Sequence, residues 1–132
     1  MTEPVDLRTE ATSVSRDLAD LARLREWLSD RLRRRPFGSE DVLQDILVMA
    51  SELVSNAVLH TKSLPTVTLT VLPDVVRVAV HDDDPRLPVL EPLDVRRARG
   101  NGLRIVDAWA EQWGSYLVPG DGKEVWFTAR RW

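Results

Sequence analysis

The segment from Ser39 to His60 carries the feature that most constrains the fold, a long apolar helical pattern. Ser39 is a favourable N-cap, and Glu40 and Asp41 suit the positive end of a helix dipole. Apolar side chains then recur at three- and four-residue steps, at Leu43, Ile46, Leu47, Ala50, Leu53, Val54, Ala57 and Val58. Some 21 helical residues span roughly 32 Å, about the diameter of a small domain. This length and apolarity predict a helix at the centre of the fold.

The patterns on either side of this helix predict a second layer made of strands. The predicted elements are a short strand around Val5 and Leu7, a helix over 13–34, the central helix, strands at 67–71 and 76–80, a helix over 103–113, and strands near 115–118 and 124–130. Thr12 or Ser13 is the expected N-cap of the first helix. Because helices and hairpins do not alternate regularly, we expect an α+β fold, a two-layer α/β sandwich with a mixed, mostly antiparallel sheet and helices on one face.

The composition is that of one globular domain. The 132 residues, 43% hydrophobic and 30% charged, predict a single domain over residues 1–132 with a substantial core. The absence of cysteine excludes disulfides, thiolate metal sites and a cysteine nucleophile. A net charge of −3 argues against direct binding of nucleic acid. The uncharged stretch 63–73 is too short to span a membrane, and the first residues lack a signal-peptide pattern, so we expect a cytoplasmic protein without membrane contact.

The central helix places three polar side chains on one side. Glu52, Asn56 and His60 follow one another at four-residue steps. Such side chains are costly to bury without partners, so they indicate either a solvated edge beside the apolar face or a functional site. For His60 a capping or packing role is preferred, and no chemical role is assigned to it.

Two further segments bring polar residues and glycines to the ends of predicted elements. The second hairpin strand ends in His81-Asp82-Asp83-Asp84-Pro85, which is typical either of a solvated turn or of carboxylates that bind a metal ion or a ligand N–H. The third helix begins after a non-periodic loop, 83–101, with Gly100-Asn101-Gly102-Leu103. Glycines at a helix N-terminus suit a phosphate, and a flexible hinge explains them equally well. The Rossmann and P-loop glycine patterns are both absent from the sequence.

Taken together and in this order, these motifs resemble those of the GHKL ATPase superfamily. The matching parts are Glu-Leu-Val-Ser-Asn-Ala-x-x-His at 52–60, a strand that ends in Asp82, a lid over about 83–101, and Gly-x-Gly-Leu-x-Ile-Val at 100–106. Within the superfamily the chain is similar to small stand-alone bacterial ATP-binding proteins, including the anti-sigma factor serine/threonine kinases. The resemblance covers the whole chain and implies a histidine-kinase-like ATPase fold with ATP and Mg²⁺ as cofactors.

The resemblance also implies a role for each motif. Glu52 matches the general base that activates a water or a protein hydroxyl for attack on the γ-phosphate. Asn56 matches the asparagine that ligates Mg²⁺ through its amide oxygen. Asp82 matches the aspartate that accepts a hydrogen bond from the adenine amino group, which predicts a strong preference for ATP over GTP. The second glycine box, whose backbone admits the phosphates, matches Gly100, Asn101, Gly102 and Leu103.

The chain departs from the family pattern at two positions. The first glycine box reads Asp82-Asp83-Asp84 in place of Asp-x-Gly, so a charged side chain is expected next to the adenine at Asp84. Lys123 stands where many relatives have a threonine that contacts the base region. These departures predict altered nucleotide geometry and affinity. Within the lid, a cluster of arginines is expected either to close over the phosphates or to be solvated: Arg96, Arg97 and Arg99.

The resemblance implies an enzyme, an ATP-dependent serine/threonine kinase that phosphorylates an anti-anti-sigma protein and sequesters a sigma factor. It also implies a homodimer, as in many such relatives. The alternative is a nucleotide-responsive module that binds a partner when ATP orders the 83–101 loop and has no kinase activity. A third possibility, the ATPase half of a two-component sensor kinase, is disfavoured. Such a kinase needs a helical hairpin with a phospho-accepting histidine, and the predicted helix 13–34 contains no histidine.

Overall fold

The computed structural model describes residues 8–36, 38–61, 63–92, 94, 96 and 102–132, without the side chains of Arg8 and His60. Its helices and strands follow one another in the order that the sequence predicts. They are β1 (Arg8–Ser13), α1 (Leu18–Arg33), α2 (Glu40–His60), β2 (Thr66–Val71), β3 (Val75–Asp82), α3 (Gly102–Trp109), β4 (Gln112–Leu117) and β5 (Lys123–Arg130). The predicted strand around Val5 and Leu7 lies outside the described residues.

The strands form one five-stranded sheet in the order β1-β2-β3-β5-β4. Every pair of neighbours in the described sheet is antiparallel. The α+β class is confirmed, and the expectation of a mixed sheet is wrong for the described part of the chain. The reason is that β5 returns as a hairpin with β4 and is inserted between β4 and β3, so it runs opposite to both.

The core lies between one face of the sheet and the apolar faces of the helices. Alternate residues of β2, β3 and β5 are buried, and the buried set includes Val67, Val78, Val80 and Phe127. Helix α2 packs on β3 and β5 and contacts both other helices. Its predicted central position is confirmed by eight buried apolar residues: Leu43, Ile46, Leu47, Ala50, Leu53, Val54, Ala57 and Val58.

The segment Glu40–Leu59 of α2 is long and apolar enough to cross a membrane by length and composition alone. Half of this segment, 50%, is buried inside the fold. A core helix of a globular domain meets the same criteria. Packing of α2 against the sheet therefore accounts for its apolar composition.

Helix α1 begins later than the sequence predicts. Its N-cap is Asp17, whose side chain accepts a hydrogen bond of 2.9 Å from the backbone N–H of Ala19. Ser13 still belongs to β1, which pairs with β2, and the N–H of Val14 bonds to the carbonyl of Pro65 at 3.0 Å. The prediction of an N-cap at Thr12 or Ser13 is wrong because strand pairing holds this backbone in an extended conformation.

Helix α3 ends at Trp109, before the predicted end at Trp113. The N–H of Glu111 already bonds to the carbonyl of Thr128 at 2.8 Å, and pairing of β4 with β5 begins at Gln112. Trp113 therefore lies on a strand, and its Nε1–H donates to Asp107 at 2.8 Å. Trp109 is 49% exposed. The apolar spacing that predicted one helix runs across a helix–strand boundary.

Candidate functional site

A cavity of about 440 Å³ lies between α2, the inner face of the sheet, the start of α3 and the loop that follows β3. Its polar wall residues include Asn56, Asp82 and Lys123. Its apolar wall is formed by residues of four elements: Leu53, Ala57, Val80, Leu103 and Val125. An apolar cleft with a few convergent polar groups is the usual form of a small-molecule site. The three segments that the sequence singled out therefore meet at one cavity.

Asp82 stands on the sheet side of this cavity. It is the last residue of β3, and it is buried on the same face as Val78 and Val80. In the register between β3 and β5 its direct neighbour is Lys123, whose Nζ donates to Asp82 Oδ1 at 2.9 Å. The Asp82 side chain is 3% exposed and the Lys123 side chain is 9% exposed, so this ion pair is buried.

Two main-chain contacts fix this ion pair in place. The backbone N–H of Asp84 donates to Asp82 Oδ1 at 2.9 Å. The carbonyl of Asp84 accepts a second hydrogen bond from Lys123 Nζ, at 3.0 Å. The backbone of Asp84 thus contacts both charged groups, and the loop after β3 cannot leave its position without breaking these bonds.

The turn before β5 brings Lys123 to Asp82. Gly122 has a positive φ of 72°, a conformation that side chains disfavour. A Cβ at this position would also meet the carbonyl oxygen of Asp82 and lie 2.7 Å from Cα of Asp83. Glycine is required here by both the backbone angle and the close approach of the two strands.

The three consecutive aspartates have separate partners. Asp83 accepts hydrogen bonds from the hydroxyl of Thr61 and from the backbone N–H of Ser63, the latter at 3.0 Å. Asp84 is paired with Arg86, whose Nη2 donates at 2.7 Å and whose backbone N–H donates at 3.0 Å. The Arg86 side chain and backbone N–H hold the pKa of Asp84 well below its usual range. Asp82 and Asp84 are buried, so the interpretation of this segment as a solvated turn applies to Asp83 alone.

Asn56 and Glu52 stand on the helix side, one turn apart on α2. Asn56 lines the cavity, and Glu52 directly precedes Leu53, another residue of the cavity wall. Within the described residues, neither side chain forms a hydrogen bond or an ion pair. Glu52 packs closely on Gly102, since a Cβ at position 102 would lie 3.1 Å from Cβ and Cδ of Glu52 and closer still to Oε2. This glycine therefore lets the start of α3 approach Glu52.

Part of the predicted glycine box and lid can be placed. Gly102 is the first residue of α3, and Leu103 lines the cavity. The loop after β3 borders the cavity with Leu87 and Val89, which are exposed. Arg96 pairs with Asp94 and is absent from the cavity wall. The remaining predicted residues lie outside the described part of the chain: Arg97, Arg99, Gly100 and Asn101.

Asn56 is placed where an amide oxygen could ligate a metal ion that also binds a ligand in the cavity. No group of three or more histidine, aspartate or glutamate side chains suited to a metal occurs among the residues that the structure describes. Mg²⁺ is usually held by one or two protein groups together with phosphate oxygens and waters. Asn56 fits such shared ligation.

The family pattern marks Lys123 only as a departure, and the sequence does not predict its ion pair with Asp82. The sequence does indicate that Lys123 is buried, because it lies on the same face of β5 as the buried residues Val125, Phe127 and Ala129. A lysine on the core face of a strand needs an acceptor. That its acceptor is Asp82 depends on the register of β3 and β5, which joins residues 41 positions apart.

The sequence pattern of one protein family, described as the histidine kinase-like ATPase domain, matches residues 14–129. The matched range runs from Val14, directly after β1, to Ala129 in β5, and contains every residue placed at the cavity. No curated protein sequence shows significant similarity to the chain.

Proposed function

The chain belongs to the histidine kinase-like ATPase domain family, and from this premise we propose that it is a serine/threonine protein kinase of the anti-sigma factor type. It uses Mg-ATP bound in the cavity between α2 and the sheet. The observation that carries the proposal is the position of Glu52, packed on Gly102 at the start of α3 and one turn from Asn56 in the cavity wall.

The residues of the cavity fit the parts of a nucleotide. Val80, Leu103 and Val125 provide apolar surface for a purine ring. Asp82 provides a carboxylate oxygen, Oδ2, to which none of the described residues donates a hydrogen bond. Gly102 begins a helix whose N-terminal N–H groups suit a phosphate, and the amide oxygen of Asn56 would hold Mg²⁺. When bound, Mg²⁺ supplies neutralisation of phosphate charge.

Glu52 has the properties of a general base for phosphoryl transfer. Its carboxylate forms no ion pair or hydrogen bond with any described residue, so its oxygens are available to a substrate hydroxyl. In the proposed reaction it accepts the proton of a serine or threonine hydroxyl on a protein substrate. The protein otherwise contributes positioning and electrostatic stabilisation, which account for most of catalysis in phosphoryl transfer.

The resemblance to anti-sigma factor kinases supports the proposed partners. The substrate is an anti-anti-sigma protein, and the chain sequesters a sigma factor when that antagonist is phosphorylated. The proposal includes a cytoplasmic location and a homodimer, with no direct contact to nucleic acid or membrane.

A second candidate function is a nucleotide-responsive binding module without kinase activity. The observation that favours it is the loop bordering the cavity, where Leu87 and Val89 are 44% and 75% exposed. A bound nucleotide contacting this loop could change how these apolar side chains are presented to a partner protein.

Transfer of labelled γ-phosphate from ATP to purified anti-anti-sigma proteins distinguishes the two functions. We expect transfer by the wild type and a loss of at least about a hundredfold in Glu52→Gln, the usual scale of a general-base contribution. Glu26→Gln is the matched control, since Glu26 is exposed on α1. ATP binding without transfer in the wild type would favour the binding module. Equal transfer by Glu52→Gln would refute the assigned role of Glu52.

A further inference from the structure

The buried ion pair between Lys123 and Asp82 has hydrogen-bonding capacity left over. An ammonium group has three N–H donors. Lys123 Nζ gives one to Asp82 Oδ1 and one to the carbonyl of Asp84, at 2.9 and 3.0 Å. Asp82 Oδ1 also accepts the backbone N–H of Asp84, so both hydrogen bonds to Asp82 are on the same oxygen.

Among the described residues, two groups therefore have no partner and remain for a ligand: one N–H of Lys123 and the oxygen Oδ2 of Asp82. Both residues line the cavity. The charges of the pair cancel, and Val80 and Val125 lie in the same wall. A neutral pair of this kind between apolar surfaces suits a neutral planar ligand that offers one acceptor beside one donor.

The Watson–Crick edges of both purines meet this requirement. Guanine has its O6 acceptor beside the N1–H donor, and adenine has its N6 amino group beside the N1 acceptor. A carboxylate without a cation accepts from the adenine amino group and repels guanine O6, which is the basis of the ATP preference expected from Asp82. An ammonium group beside that carboxylate removes the repulsion, because it donates to O6 while Asp82 Oδ2 accepts from N1–H.

We propose that Lys123 is a specificity-determining residue that opens this site to guanine nucleotides. The inference rests on the proposed function in one respect, that a nucleotide base lies against Asp82. With adenine, Asp82 Oδ2 accepts a hydrogen bond from the N6 amino group and Lys123 donates to N1. The same two protein groups therefore contact different atoms of the two purines. The site therefore binds both purine triphosphates, and the discrimination expected from Asp82 alone is lost.

The test is calorimetric titration of the full chain with Mg-ATP, Mg-GTP and Mg-ITP. Inosine triphosphate carries O6 and N1–H without the 2-amino group, so it isolates the two contacts assigned to the pair. In the wild type we expect all three dissociation constants to agree within about tenfold. In Lys123→Met we expect GTP and ITP to weaken by about tenfold to a hundredfold more than ATP, the scale of leaving a buried polar group unpaired.

Two further variants keep the test decisive. Arg130→Met removes a cation from the exposed end of the same strand and should leave the ratio of GTP to ATP affinity unchanged, since Arg130 is 71% exposed. If Lys123→Met fails to fold, Lys123→Gln takes its place, because it keeps an N–H donor for Asp82 without the charge. A wild type that rejects GTP would still overturn the proposal.

The outcomes separate the two proposals. ATP binding with GTP rejected by about a thousandfold or more in the wild type would overturn the role of Lys123 and leave the nucleotide site intact. An unchanged affinity ratio in Lys123→Met would do the same. If none of the three nucleotides binds, the proposed function and this inference both fall.

Discussion

The two sides of the cavity differ in how their polar groups are satisfied. On the sheet side, Asp82 and Lys123 are buried and bonded to each other and to the backbone of Asp84. On the helix side, the side chains of Glu52 and Asn56 have no hydrogen-bond partner within the described chain. The sheet side is held together by contacts within the fold itself. The helix side holds polar groups that no described residue satisfies.

This difference predicts that the residues of the sheet side contribute to stability and those of the helix side to ligand binding or reaction. Removing a partner from the sheet side leaves a buried charge and should therefore affect folding. Removing a side chain from the helix side breaks no hydrogen bond or ion pair among the described residues and should therefore affect ligand binding or reaction more than folding. One cavity thus combines a preformed recognition surface with a reactive surface, and substitutions on each side should give different results.

The largest effect is expected for Asp82→Ala. This substitution leaves Lys123 buried without a counter-charge and should lower the free energy of unfolding by about 3 kcal/mol. Asn56→Ala, the matched truncation on the helix side, should change it by about 0.5 kcal/mol or less. Urea unfolding followed by tryptophan fluorescence measures both values. Equal losses in the two variants would contradict the distinction between the sides.

A smaller effect is expected for Gly102→Ala, which tests how tightly α3 approaches α2. The added Cβ would lie 3.1 Å from two carbons of Glu52 and still nearer its Oε2, so we expect a destabilisation of about 1–3 kcal/mol. All three of the nearest atoms belong to Glu52. The double variant Gly102→Ala/Glu52→Ala should therefore recover most of the loss, and a double-mutant cycle measures the coupling. Additive losses would show that the contact with Glu52 is not the cause.

The smallest effect concerns the pH dependence of stability at Asp84. Arg86 lowers the pKa of Asp84 in the folded state, so this carboxylate stabilises the fold above the unfolded-state pKa of about 3.9. The contribution is lost as the pH falls below that value. Between about pH 5 and pH 2 the unfolding free energy of the wild type should therefore fall more steeply than that of Asp84→Asn.

Asp45→Asn is the control for this measurement, because Asp45 is an exposed residue of α2. Its curve against pH should run closer to that of the wild type than the curve of Asp84→Asn does. Parallel curves for the wild type and Asp84→Asn would mean that the pair with Arg86 contributes nothing to folding.

The sequence predicts the helix side of the site better than the sheet side. Glu52 and Asn56 share a side of α2 through the four-residue period of a helix, which is local information. The hairpin of β2 and β3 is likewise set by alternation and a short turn, and the alternation in β3 places Asp82 on the buried face. Local periodicity is sufficient for all of these features.

The sheet side depends on pairing between distant strands. Lys123 meets Asp82 only through the register of β3 with β5, which no local pattern specifies. The same cause explains the two errors at helix ends, since β1 holds Ser13 and β4 holds Trp113 in strands that a helical spacing assigned to helices. Tertiary pairing overrides local propensity at these positions.

A crystal structure of the protein with Mg²⁺ and a non-hydrolysable ATP analogue tests the proposed nucleotide site most directly. We expect the purine edge to lie within hydrogen-bonding distance of Asp82 Oδ2 and Lys123 Nζ. We also expect the phosphates to lie beside Gly102, with the metal ion on the amide oxygen of Asn56. A nucleotide bound outside this cavity, or bound with its phosphates against the Asp82–Lys123 pair, would contradict the proposed site.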